Sequence, residues 1–229
     1  MTFDYHSEDK LIVAVDSIIF GFDGEDLKIL LIKRGIEPEK GKWSLMGGFL
    51  KKTENLDQAA HRVLNTLTGL SNVYLEQLEV YSEIDRDPAE RTISVAYYAL
   101  ININNHNEEL TEHYSAKWFN VKDAPQLIFD HNQMVQKAIR RLRRRASTNP
   151  IGFDLLPEKF TMRQLQKLYE SILDEKLDKR NFINKINSFK ILIKLDEKDK
   201  STSRKGSYLY TFDKAEYEEK VMNGFTFKL

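Results

Sequence analysis

The residues Gly48-Phe49-Leu50-Lys51-Lys52-Thr53-Glu54 and, after seven intervening residues, Arg62-Val63-Leu64-Asn65-Thr66-Leu67-Thr68-Gly69-Leu70 join a glycine loop to a helix. Leu56, Ala59, Ala60, Val63, Leu64 and Leu67 recur at helical spacing between Asn55 and Thr68. Thr53 or Asn55 can cap the start of that helix, and Gly69 marks its end. Gly47-Gly48, inside the segment from Trp43 to Leu50, is where the backbone must turn tightly or approach something closely.

Working outward, Leu11 to Phe20 is apolar and rich in Val and Ile, Gly21-Phe22-Asp23-Gly24 supplies turn chemistry, and Leu27 to Lys33 resumes the apolar pattern. These read as a β-hairpin. Gln77 to Ile84, Thr92 to Ile103 and a short piece at Trp118-Phe119 read as further strands. Asp130 to Arg145 reads as a second long helix with Val135, Ala138, Ile139 and Leu142 on its inner face. Ala146-Ser147-Thr148-Asn149-Pro150-Ile151-Gly152 is small, polar and helix-breaking, and reads as a linker. Beyond it come a helix from Met162 to Leu173 capped by Thr161, and a turn from Asp174 to Leu177. A second helix, Lys179 to Phe189, is capped by Asp178, and strands follow at Ile191–Leu195 and Tyr208–Phe212. The expected domains are therefore 1–148 and 149–229.

With 229 residues, 41% hydrophobic and 31% charged, the chain reads as globular, with room for two domains. It has no cysteine, which excludes disulfides and thiolate metal sites. No cationic-plus-apolar leader is visible, and the apolar run from Leu11 is broken by Asp16 and Ser17, too short for a bilayer. A cytoplasmic protein without membrane association is the expectation. Lys+Arg and Asp+Glu balance at 35 each, so overall charge does not argue for nucleic acid. Locally, Lys137, Arg140, Arg141, Arg143, Arg144 and Arg145 crowd one stretch. That run reads either as a solvated helix face or as part of a phosphate-contacting surface.

The opening segment resembles the Nudix box, G-x5-E-x7-R-E-U-x-E-E-x-G-U with U aliphatic. Gly48, Glu54, Arg62, Leu64, Gly69 and Leu70 match at the right spacing, and Trp43 with Leu45-Met46-Gly47-Gly48 resembles the family's lead-in, Met46 replacing a proline. The resemblance implies an α/β/α sandwich. It also implies three helix glutamates on one face holding Mg²⁺ for attack on a diphosphate. Here those positions are Val63, Thr66 and Leu67. Val and Leu offer no oxygen and Thr only a neutral hydroxyl. Losing the metal removes a nucleophile generator and a charge clamp, each worth several kcal/mol of barrier. The expectation is no enzyme, no metal and no cofactor. Glu54 and Arg62 then read as a pair tying loop to helix. Asp57 and His61, four apart, read as a surface contact before a rebuilt metal site.

A fold that has lost catalysis can still bind a ligand. Asp16 puts a charge in an apolar strand, which costs free energy unless something pairs with it. Lys33 and Arg34 are the candidate partners for an internal salt bridge. Equally, Asp16, Lys33, Arg34 and Glu83 are candidate effector-binding residues in a pocket that hydrogen-bonds sugar or nucleotide hydroxyls. Asp85, Arg86 and Arg91 can frame the same cleft.

In the second half, Phe182, Ile186 and Phe189 form a core face, with Ile183 beside them. Lys179, Arg180, Asn181, Asn184 and Lys185 point elsewhere and carry donors, as in the recognition helix of a helix-turn-helix. Arg can bind guanine and Asn adenine through paired hydrogen bonds. The loop Asp196 to Ser207 carries Lys198, Lys200, Arg204 and Lys205 and reads as a wing touching phosphates.

Phe160-Thr161-Met162-Arg163-Gln164-Leu165, Leu177-Asp178-Lys179-Arg180-Asn181-Phe182, Asp85-Arg86-Asp87-Pro88, Ser94-Val95-Ala96-Tyr97 and Phe129-Asp130-His131 are similar to the Nudix-related transcriptional regulators, the NrtR-like family. The resemblance implies an α+β chain: a Nudix α/β/α sandwich followed by a C-terminal winged helix-turn-helix domain. It further implies a homodimeric repressor that binds a palindromic double-stranded DNA operator and senses a small molecule. Some members sense ADP-ribose, and a branch resembling this sequence regulates use of pentoses such as arabinose. With the diphosphate's magnesium anchor lost, the expected effector leans to a pentose over ADP-ribose. The rival reading is a Mg²⁺-dependent hydrolase of nucleoside diphosphate compounds with an accessory domain.

Overall fold

A computed structural model describes residues 4, 8–71, 73–103, 116–201 and 204–229. The first unit is built on a sheet in which β1 (Ile12–Phe22) is central. On one side β1 pairs with β2 (Leu27–Lys33), then β3 (Trp43–Ser44); on the other it runs parallel to β6 (Thr92–Asn102), which pairs with β5 (Glu76–Tyr81) at the edge. β4 (Met46–Phe49) adds to β1 and β7 (Ala116–Asn120) to β2. β1 continues through Gly21 and Phe22, expected as turn, because both pair with Lys28 and Leu27 and Phe22 is buried. β5 stops at Tyr81, short of the expected Ile84, which is exposed.

Alternation along β1 divides the core. Val15 and Ile19 join the cluster under α1 (Leu56–Thr68) with Ala59, Ala60, Val63 and Leu64. Ile18, Phe20 and Phe22 face the other way, toward α2 (His131–Thr148) and its Met134, Val135, Ala138 and Leu142. This is the layered sandwich that the alternation demands. Asn55 closes a capping box with Gln58 at the start of α1. α2 runs three residues beyond Arg145 to Thr148, because Ala146 is fully buried and its burial outweighs the weak helix propensity of Ser and Thr. Ala146–Thr148, expected as linker, is thus the last turn of α2.

The second unit comprises β8 (Phe160–Thr161), α3 (Met162–Leu173), α4 (Lys179–Phe189), the hairpin β9 (Leu192–Asp199) and β10 (Ser207–Phe212), and α5 (Lys214–Met222). α3 and α4 have the expected bounds, and α5 is an element the sequence reading did not include. Thr161 and Gln164 form a capping box on α3, and Asp178 accepts from the Asn181 N–H on α4. β9 extends to Asp199, so Asp196, Glu197 and Lys198 are strand residues and the expected loop is shorter. Leu155, Phe160, Leu165, Leu168, Tyr169, Ile172, Phe182 and Phe189 belong to the same buried cluster as the α2 side of the first unit. The core is therefore continuous across both units. Lys167 pairs with Glu25 at 2.7 Å, Arg143 Nε donates to the Ile172 carbonyl at 3.0 Å, and Lys122 and Arg143 both meet Asp174. No helix among the described residues is long and apolar enough to cross a membrane.

Candidate functional site

A cavity of about 290 Å³ opens where β1, β4 and β6 meet the start of α2. Asp16 on β1 pairs in register with Gly47 on β4. A Cβ at Gly47 would strike the Asp16 carboxylate, and one at Gly48 would lie 2.7 Å from Val63 on α1. The two glycines thus let one strand lie against both a buried charge and a helix.

Asp16 is 6% exposed and is not paired with Lys33 or Arg34. Its Oδ2 accepts the Ser94 hydroxyl at 2.5 Å, and its Oδ1 lies 3.6 Å from His131 Nε2. Arg86 approaches Asp16 at 3.8 Å and clamps Asp130 with two bonds, Nε to Oδ2 at 2.9 Å and Nη2 to Oδ1 at 2.7 Å. The Leu45 N–H donates to His131 Nδ1 at 3.2 Å, which leaves the proton on Nε2, facing Asp16. Burial pushes the His131 imidazole below its ordinary value of 6.5, overriding the pull of Asp16 and Asp130. Asp16 and Asp130 thus share the Arg86 guanidinium, and Asp87 and Arg34 add one charge of each sign to the cavity lining.

The rest of the lining is largely apolar: Ala14, Ile32, Leu45, Phe49, Leu67 and Phe129. Arg34 also lines it, its Nε donating to the carbonyls of Ile36 and Pro38 and its guanidinium 5.0 Å from the Phe129 ring centroid. Phe129 sits at φ 49°, a left-handed conformation that a bulky side chain rarely adopts, and strain of this kind gathers at ligand sites. Lys33 instead lies over the Trp43 ring at 4.2 Å, and Glu83 is exposed outside the lining.

On the α1 side the donors that a Nudix magnesium needs are missing. Val63 is buried under Gly48, Leu67 lines the cavity, and Thr66 is exposed. Glu54 is committed to Arg62 through bonds of 2.8 and 2.6 Å, and accepts the Lys51 N–H. The Arg62 bonds hold its carboxyl near 2. Arg62 also donates to the Phe49 carbonyl, locking loop to helix, and Gly69 caps that helix in a left-handed turn. Asp57 accepts the Tyr97 hydroxyl, and His61 Nδ1 bonds the Asp57 carbonyl. Among the described residues no group of three or more His, Asp or Glu is placed to hold a metal ion. The residues present do not fit the family's cation.

In the second unit Lys179, Arg180, Asn181, Asn184 and Lys185 are exposed on α4, and Lys198, Lys200, Arg204 and Lys205 on the hairpin. Among the described residues none of these cations pairs with a carboxylate. The basic run of α2 behaves differently. Lys137 pairs with Glu79, Arg141 and Arg145 with Glu76, and Arg143 with Asp174. Most of that run is therefore consumed in internal contacts.

Residues 10–142 match the model of the NUDIX domain, and residues 152–212 that of the NrtR DNA-binding winged helix domain. The chain is 33% identical over 211 residues, 90% of its length and 84% of the relative's, to the ADPR responsive transcriptional repressor NtrR of Acinetobacter baylyi. It belongs to the NrtR-like family of Nudix–winged-helix proteins. A crystal structure of Shewanella oneidensis NrtR complexed with a 27mer DNA aligns with TM-score 0.78 and 29% identity, covering 87% of this chain and 93% of that one. The Nudix domain of the same Shewanella protein, in a cocrystal structure with ADP ribose, aligns over 61% of this chain and 94% of its own at TM-score 0.52 and 30% identity. An ADP-ribose pyrophosphatase of Methanocaldococcus jannaschii is 36% identical over 128 residues, 56% of this chain and 73% of its own.

In this NrtR-like chain, of the four residues expected to bind an effector, Asp16 and Arg34 line the cavity and Lys33 and Glu83 do not, while His131, which also lines it, and Asp130, which holds Arg86, were not among those expected. Their signal was present in Phe129-Asp130-His131. A polar pair just before an amphipathic helix reads first as a cap, yet Asp130 makes no side-chain cap bond.

Proposed function

We propose that this protein is a homodimeric transcriptional repressor whose Nudix domain senses ADP-ribose without cleaving it and whose winged helix binds a palindromic operator. The observation that carries this reading is a ligand cavity that keeps its polar wall while α1 presents Val63 and Leu67 in place of the acidic face. A carboxylate at a cavity wall accepts hydrogen bonds from sugar hydroxyls, and Arg34 supplies positive charge for a diphosphate. The cavity, at about 290 Å³, is just under the ~300–1,000 Å³ typical of small-molecule pockets, so a ligand as long as ADP-ribose would extend beyond it. The Acinetobacter relative's name and the Shewanella complex support ADP-ribose, and nothing comparable supports the pentose expected from the lost magnesium ligands. The unpaired donors of α4 would read bases, and the hairpin cations would hold phosphates. Two such heads would read half-sites one helical turn, about 34 Å, or a multiple apart. Effector relieves repression only if it binds the free conformation more tightly than the DNA-bound one.

Thermal shift with ADP-ribose and with L-arabinose tests the effector. A rise in melting temperature with ADP-ribose alone is expected. A rise with arabinose alone would reassign the ligand, and no rise with either would end the sensor reading. Mg²⁺-dependent turnover of ADP-ribose that disappears in Glu54→Ala would restore the hydrolase reading. Against an operator selected from random duplexes, Arg180→Ala is expected to cost about 1–3 kcal/mol if Arg180 touches a base.

A further inference from the structure

The hairpin holds an arrangement that the α4 donors do not explain. Tyr208 is 40% exposed on β10, and two ammonium groups converge on its ring. Lys194 Nζ lies 3.7 Å and Lys198 Nζ 4.4 Å from the ring centroid. Residues four apart on a regular strand are separated by about 13 Å, too far to share one ring comfortably. Here the register breaks: Tyr208 faces Lys198 and Tyr210 faces Lys194, so four residues of β9 span two of β10. Such a bulge re-aims side chains, and here both ammonium groups meet one aromatic ring.

The gathering has an electrostatic cost. Both charges lie within one Debye length, about 10 Å at 0.1 M salt, and among the described residues neither ammonium pairs with a carboxylate. The ring offsets part of that repulsion and restricts two side chains that would otherwise sample many rotamers. What remains is a preorganised pair of positive charges beside an exposed ring, on the hairpin that carries Lys200, Arg204 and Lys205 at its turn.

We propose that Lys194, Tyr208 and Lys198 form a phosphate-binding platform for the DNA backbone, with Tyr208 as the positioning residue that presents both lysines. The platform rests on the DNA-binding reading above, and the ligand chemistry it fits is a run of phosphodiesters. It contributes affinity independent of sequence, because phosphate contacts position a protein and carry no base information.

The test is fluorescence anisotropy of the full-length protein with a labelled mixed-sequence DNA duplex across a KCl series. The Lys194→Ala/Lys198→Ala double variant is expected to lower the slope of log K against log salt by about 2, one unit for each lost phosphate contact. Tyr208→Ala keeps both charges but loses their support, and should weaken binding about three- to tenfold at fixed salt. Tyr208→Phe keeps the aromatic face and should stay within about twofold of the parent. An unchanged slope in the double variant would overturn the platform. So would equal losses in Tyr208→Phe and Tyr208→Ala, which would assign the effect to the hydroxyl. If the parent protein itself shows no salt-dependent binding, the DNA-binding reading fails and the platform with it. All three positions are exposed, and matching far-UV spectra and melting temperatures separate lost contact from lost fold.

Discussion

Replacing Arg86 by alanine strands Asp130 and leaves Asp16 without its nearest guanidinium, in a wall where the Arg86 side chain is 3% exposed. Removing one partner of a buried pair costs about 3–5 kcal/mol. Arg86→Ala is therefore expected to lower the unfolding free energy by that amount, which moves the urea midpoint down with an unchanged m-value. His131 adds a pH dependence whose sign follows from burial. Its folded value lies below 6.5, so as pH falls through 6.5 the unfolded chain takes up a proton that the folded chain refuses. The stabilisation is intact above 6.5 and is lost as pH falls from there toward the folded value. Stability of the parent should decline as pH falls below about 6.5, and His131→Gln, which keeps an acceptor for the Leu45 N–H, should flatten that decline. At this scale the sequence announced that Asp16 needed partners but not which ones. Lys33 and Arg34, at the end of the next strand, were the partners that chain order suggested. The partners that formed come from positions 86, 94 and 131, brought in by the parallel pairing of β1 with β6 and by the docking of α2.

Among the elements, α3 and α4 were legible to the residue, because Thr161 and Asp178 cap them and their apolar residues keep a helical period. The ends of β9 and α2 were not. Charged residues at 196–198 and small or polar ones at 146–148 look like loop in sequence, while the ladder to β10 and the burial of Ala146 decide otherwise. α2 has a further property. Its first residue, His131, lines the cavity, and Arg143 holds the Ile172 carbonyl and Asp174, where α3 turns toward α4. Those residues are roughly 18 Å apart along a stiff helix. Arg143→Ala is expected to leave ADP-ribose affinity and operator affinity each within a few-fold, and to reduce the factor by which one changes the other. Measuring operator affinity with and without saturating ADP-ribose gives that factor. An unchanged factor would remove Arg143 from the coupling path.

For the whole molecule, the continuous core predicts cooperative unfolding. Chains of this size with two units often melt in steps, but Leu155, Phe160, Leu168 and Ile172 share one buried cluster with Met134 and Leu142. Calorimetry should give one transition, coincident with loss of near-ultraviolet ellipticity. Two separated transitions would mean that the seam contributes little.

That seam bears on any attempt to recombine family members. Residues such as Glu25, Lys122 and Arg143 on one side and Lys167, Ile172 and Asp174 on the other form a matched set, so a hybrid joining one sensor to a foreign reading head must transplant both sides together. Cut at Asn149 alone, such a hybrid inherits a mismatched joint, and its two halves would recognise their separate targets while no longer answering to each other.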